Sequence, residues 1–201
     1  MVFFAESCPR WIARMTEPVI GLLKNTSRIS LNKNQLKSLT TKMIKPFLYY
    51  LRVRYGECDA QKVVFNARYA EYVDLATTEF LRALGYGEQL FSGELDFQLV
   101  KQTIEWKAPA RFDQVLEVSV FAKALGNTSF TLVAEFRIAG HDRVLATAET
   151  VYVLVKQHTL TKTPLPPDLR AALQKGALGV ITDHAGYVSQ TTDAQQSGRK
   201  L

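Results

Sequence analysis

One run of helical period followed by four runs of strict alternation restricts this chain more than any other feature. Tyr69, Val73, Ala76, Phe80 and Leu84 recur at steps of three and four residues, which puts them on one helical face. Asn66 reads as the N-cap and Gly85 or Gly87 as the stop, giving about five turns at 3.6 residues per turn. Before the helix, YYLRVRY (49–55) alternates, with Tyr49, Leu51, Val53 and Tyr55 on one face and Tyr50, Arg52 and Arg54 on the other. After it, segments 95–108, 114–125, 129–140 and 143–157 read as strands. Val100, Gln102, Ile104 and Trp106 alternate along the first, Leu116, Val118, Val120 and Ala122 are expected buried in the second, and Phe130, Leu132, Ala134, Phe136 and Ile138 share one face of the third. Polar turns at 126–127 and 140–142 make hairpins of them, so most pairs are expected antiparallel. TPLPPDLRAAL adds a proline-opened short helix over 167–174. One long helix against one antiparallel sheet is an α+β layer architecture.

Charge divides the chain. The net charge is +6, yet residues 1–45 hold eight basic and two acidic residues, and the rest carries 17 of each sign. The body is therefore no nucleic-acid binder by charge. Apolar residues make up 47%, which excludes global disorder. Two cysteines, Cys8 and Cys58, make neither a disulfide framework nor a metal cluster, so a reducing, cytoplasmic setting is the simple expectation. No apolar run approaches the ~20 residues that span a bilayer. Residues 1–45 lack the compact apolar stretch and cleavage site of a secretory signal. They are expected to be a flexible basic extension, or translation from upstream of a true start at Met43, in preference to the alternative of an organelle transit peptide. The expected domain is 46–175, followed by a loose polar tail, 176–201.

One carboxylate stands out. Asp59 lies in the polar turn Gly56–Lys62, just before an apolar VVF run and the helix. Asp is common in turns, and spacing alone favours that reading. The wider stretch RYGECDAQKVVFNARYAEYVDLATTEFLRALG, with the closing LPPDLRAAL, resembles the 4-hydroxybenzoyl-CoA thioesterase family of acyl-CoA thioesterases. That resemblance, over roughly residues 46–175, implies the hot-dog fold, a long central helix wrapped by a curved antiparallel sheet. It implies hydrolysis of an acyl-CoA thioester with Asp59 as the essential carboxylate, a place in fatty acid metabolism, and no metal or organic cofactor. It also implies homodimers of the hot-dog unit, often paired into homotetramers, with active sites at the subunit interface. Two positions depart from the family pattern: Lys62 stands where Gly is usual, and Asn66 where many members have His.

The chemistry fits those residues. Asp59 is expected to activate a water as general base or to attack the thioester carbonyl as nucleophile. The first N–H groups of the helix lack intrahelical partners and carry partial positive charge, so the amide of Phe65 or Asn66 is expected to polarise the carbonyl. Tyr55 matches a family tyrosine that supports the active site; its plain alternative is a core strand aromatic. Asn66 orients a water or the Asp59 loop, or simply caps the helix. Lys62, Arg68, Lys101 and Arg111, with Lys123 and Arg137, are candidates to meet substrate phosphates, each otherwise a solvated charge. Glu71 and Asp74 read as a solvated or interface face of the helix. Cys58 has no nearby histidine to activate it. His141, His158 and His184 lie outside the loop and helix that carry the histidine of hot-dog dehydratases, which argues against that reaction. The rival readings are a thioesterase acting on acyl-carrier protein and a non-catalytic acyl-CoA-binding module.

Overall fold

The computed structural model describes residues 46–188. The expectations for 1–45, and for the tail beyond 188, lie outside the described residues. Six strands form one sheet: β1 (Phe47–Arg52), β2 (Asp96–Trp106), β3 (Val115–Leu125), β4 (Ser129–Ile138), β5 (Val144–Val155) and β6 (Ile181–Asp183). Their order across the sheet is β2-β5-β4-β3-β1-β6. Three helices accompany them: α1 (Arg68–Ala83), α2 (Gly87–Ser92) and α3 (Pro167–Lys175).

Helix α1 is the centre of the core. Its apolar stripe buries Tyr69, Tyr72, Val73, Ala76, Phe80 and Leu81. They meet the inward residues of the sheet in one cluster, including Leu116, Val118 and Val120 of β3 and Phe130, Leu132, Ala134 and Phe136 of β4. Ring contacts set the geometry: Phe80 meets Phe47 at 5.6 Å, and Tyr69 meets Phe136 edge-on at 5.3 Å. The helix ends as Gly85 allows. At φ 95° this residue takes the left-handed conformation, its N–H donates to the carbonyl of Arg82, and Tyr86 N–H donates back to Leu81.

Four elements differ from the sequence reading. Strand β1 stops at Arg52, and Tyr55 opens a single 3-10 turn, Tyr55–Glu57, instead of extending the strand. Helix α1 begins at Arg68, with Ala67 in the cap position and no side-chain cap, so Asn66 does not serve as N-cap. The turn before it is of the tighter kind, with Arg68 N–H donating to Phe65 and Tyr69 N–H to Asn66. Strand β2 is an edge strand with a register shift between Leu99 and Lys101, so Val100 has no partner across the ladder. Val100 and Trp106 are half-exposed on this edge. Helix α2 has no counterpart in the sequence reading.

The sheet also runs past residue 175. Strand β6 adds to β1 in parallel, the one parallel pair among the described strands. Val180 accepts from Leu48 N–H, and Tyr50 accepts from His184 N–H, both at 3.0 Å. The rings of Tyr50 and Tyr187 then pack at 5.1 Å. The outer face of β1 is thus covered, and Leu48, Tyr50 and Val115 form a second small core.

Candidate active site

Residues 57–65 make a miniature hairpin ahead of α1. Asp59 N–H donates to Val63 and Lys62 N–H to Asp59, both at 2.9 Å, while Cys58 and Val64 pair as an isolated bridge. The loop between the arms is 60–62. A turn of this size closes with its last residue left-handed, and Lys62 has φ 62°. Glycine is the usual residue for that conformation, so Lys62 holds it at a cost.

Asp59 serves the turn and remains available for chemistry. Its Oδ1 accepts from Gln61 N–H at 2.8 Å and from Val63 N–H at 3.4 Å. These bonds hold the carboxylate in one orientation. Oδ2 has no hydrogen-bond partner among the described residues. The turn role and a catalytic role are therefore compatible: one oxygen is pinned and the other is open.

A cavity of about 620 Å³ opens beside it, within the range of small-molecule sites. One wall is the hairpin and the start of α1: Asp59, Gln61, Val63, Phe65, Asn66 and Tyr69. The other is the end of β2 and the following turn, Trp106 to Pro109. Val64 N–H donates to Ala110 across this junction at 2.9 Å, and Val63 bridges Arg111. Trp106 stands edge-on to Tyr69 at 6.3 Å. Burial raises the pKa of Tyr69 above its ordinary value, so it lines the site as a neutral phenol.

The two candidate amides separate clearly. Phe65 N–H donates to Glu57 at 2.9 Å and is engaged. Asn66 N–H has no acceptor among the described residues, and it stands one residue ahead of the Ala67 cap, next to the positive end of α1. The Asn66 side chain lines the same cavity and makes no hydrogen bond among the described residues.

The other candidates lie apart. Tyr55 is 82% exposed, its ring edge-on to Phe112 at 5.9 Å, and it neither lines the cavity nor packs in a strand core. Arg68 grips both oxygens of Glu71, at 2.7 and 2.8 Å, which raises its already high pKa. Lys62, Lys101 and Arg111 are exposed and outside the cavity wall, though Arg111 borders it through Val63. Lys123 pairs with Glu149 and Arg137 with Glu135. Sequence reasoning missed the second wall. Trp106 and Pro109 carry no local signal for a site, because only the pairing of β2 at the sheet edge brings them to α1.

The fold has counterparts among known proteins. The profile of the Thioesterase-like superfamily matches residues 53–173, and the chain belongs to that superfamily, with its hot-dog fold. The acyl-CoA thioester hydrolase YbgC of Escherichia coli is 29% identical over 130 residues, covering 64% of this chain and 96% of that protein. The 1,4-dihydroxy-2-naphthoyl-CoA hydrolase of Synechococcus elongatus is 28% identical over 125 residues, covering 61% and 90%. Among solved structures, a gentisyl-coenzyme A thioesterase superposes with a TM-score of 0.56 at 29% identity, covering 63% of this chain and 98% of that one.

Proposed function

We propose that the protein hydrolyses acyl-CoA thioesters, with Asp59 as the working carboxylate. The observation that carries this is the Asp59 hairpin: one oxygen fixed by two backbone amides, the other open, beside a cavity at the free amide of a helix terminus. The relatives named for CoA-thioester hydrolysis support the substrate class.

Hydrolysis then runs in two stages. Asp59 Oδ2 takes a proton from water as the water oxygen bonds to the carbonyl carbon, and the π pair moves onto the carbonyl oxygen. Asn66 N–H and the α1 terminus stabilise that oxyanion, a contribution typically worth ~100-fold or more. Collapse of the tetrahedral intermediate breaks the C–S bond, and the proton held on Asp59 passes to the departing sulfur, which restores the carboxylate. The thiolate leaves readily, so a strong general acid is unnecessary. Direct attack by Oδ2 would instead give an anhydride that water opens. A single turnover in ¹⁸O-water with a hydroxylamine trap separates the two: label in the Asp59 carboxylate, or a hydroxamate formed at Asp59, marks the anhydride, and label in the free acid with no trapped enzyme marks the general base. Thiol release across short, long and aromatic acyl-CoAs tests the activity itself. No release from any of them, with release from acyl-carrier protein, would replace the substrate class.

Lys62 and Arg111 are the candidates to meet the phosphates, since both are exposed next to the cavity and neither has an ion-pair partner among the described residues. Self-association is proposed through the β2 edge, where Leu99, Val100 and Trp106 are 51, 57 and 50% exposed. Sedimentation of the wild type against a Leu99→Lys variant tests it; a monomer in both would reject it. Among the described residues no helix is long and apolar enough to cross a membrane. The cytoplasmic reading rests on cysteine usage, and cell fractionation tests it.

A further inference from the structure

Glu57 is a buried carboxylate that the proposed chemistry does not use. It is 6% exposed, two residues before Asp59. Its Oε2 accepts from Tyr72 O–H at 2.7 Å and from Arg54 N–H at 2.6 Å, and its Oε1 accepts from Arg54 Nε at 2.9 Å. A buried charge is costly even when fully bonded, and an apolar side chain of similar volume is often as stable or better. A carboxylate kept here needs a reason other than stability.

The connections supply one. Glu57 begins the first arm of the hairpin, and its backbone carbonyl accepts from Phe65 N–H at the end of the second arm. The second arm runs directly into α1. Tyr72 lies on α1, one turn beyond the cavity-lining Tyr69. The bond from Tyr72 to Glu57 therefore closes a ring: hairpin, helix, and back to the hairpin. Asp59 sits on one side of that ring, and the free amide of Asn66 on the other. Arg54 N–H ties the same carboxylate to the exit of β1. Tyr72 is held as a donor, because burial and the Glu57 bond both raise its pKa.

We infer that Glu57, bound by Tyr72, is a positioning residue that sets the Asp59 carboxylate at working distance from the Asn66 amide. This rests on the hydrolytic role proposed for Asp59. A misplacement of about 1 Å at a reacting centre can cost about 100-fold in rate. Freeing one arm of the hairpin is a change of that size.

The experiment compares Tyr72→Phe, Glu57→Gln and Glu57→Ala in the full chain. Tyr72→Phe keeps the ring packing and removes one bond. Glu57→Gln keeps an acceptor for Tyr72 O–H and Arg54 N–H, and loses only the exposed Arg54 guanidinium. Tyr72→Phe and Glu57→Ala are expected to lower kcat by about 10- to 100-fold with KM within about threefold. Glu57→Gln recovers most of that loss. In an Asp59→Asn background none of the three lowers the residual rate further, because each acts through Asp59. Unchanged kcat with a lower melting midpoint would make the clamp merely structural. Equal losses in the Asp59→Asn background would do the same. Hydrogen exchange at the Asp59, Val64 and Phe65 amides gives a readout that needs no turnover. It is expected to quicken about tenfold in Tyr72→Phe relative to the α1 core amides. Unchanged protection there overturns the positioning claim. An inactive wild type with quickened exchange would sink the hydrolytic reading and leave the clamp standing.

Discussion

Lys62 is the place where sequence and backbone disagree, and the disagreement can be measured. At φ 62° the residue is left-handed, a conformation that costs a residue with a Cβ roughly 1–2 kcal/mol. Replacing it by Gly removes that strain. Gly also gains unfolded-state freedom, which offsets roughly 0.5–1 kcal/mol of the relief. The net expectation for Lys62→Gly is a gain of about 0.5–1 kcal/mol. Asn tolerates the left-handed region better than Lys, so Lys62→Asn falls between them. A β-branched residue is a genuine outlier there, and Lys62→Val is expected to lose about 1 kcal/mol or more. Urea unfolding at constant slope orders the four chains as Gly, Asn, Lys, Val from most to least stable. If Lys62→Gly were less stable than the wild type, the hairpin would not close as described. Kinetics add a second arm, since Gly and Asn both remove the charge. If Lys62 meets a substrate phosphate, both raise KM for acyl-CoA and leave acyl-pantetheine, which lacks the nucleotide, unaffected.

Other consequences follow from burial and from the cavity walls. Tyr49, Tyr50, Tyr69, Tyr72 and Tyr152 are buried and all have raised pKa values, chiefly through desolvation. Above pH 10 the unfolded chain loses these protons and the folded chain keeps them. Stability is therefore full below pH 10 and falls as pH rises, by up to about 1.4 kcal/mol per pH unit for each phenol; denaturant melts from pH 9 to 11 check the slope, and a flat profile would refute it. Phe80 is fully buried against Phe47, so Phe80→Ala is expected to cost about 3–5 kcal/mol in a chemical melt. Trp106→Ala widens the wall facing Tyr69 and is expected to shift kcat/KM from short or aromatic toward bulkier acyl groups, read from the same thiol-release panel. Asn66→Ala keeps the backbone amide, and a loss under about tenfold is expected; a loss of 100-fold would give the catalytic part to the side chain instead.

The helix and β3 to β5 were legible because their burial follows local period. Phe80, Val118 and Phe136 are buried where alternation and helical spacing place them. Period fails where burial depends on what lies across the sheet. Trp106 alternates like a core residue but sits on an edge strand after a bulge, so it faces the cavity half-exposed. Strand β6 is three residues long, too short for a pattern, and its partner β1 is more than a hundred residues away. Tyr55 continued the alternation of β1, yet the chain turns there so that Glu57 can reach Tyr72. Asp59 was legible as a candidate through its family pattern, whereas the pinned Oδ1, the engaged Phe65 amide and the buried Glu57 are products of the hairpin's hydrogen bonds. No period or composition encodes those.

The measurement that bears most directly on the account is thiol release by the wild type and by Asp59→Asn, with folding checked by melting. An Asn at this position retains an oxygen for the Gln61 and Val63 amides and loses the basic oxygen. The account predicts a fall in kcat of several orders of magnitude with the melting midpoint preserved. Turnover that survives Asp59→Asn would contradict it and move the search for the carboxylate to Glu71 and Asp74 on α1.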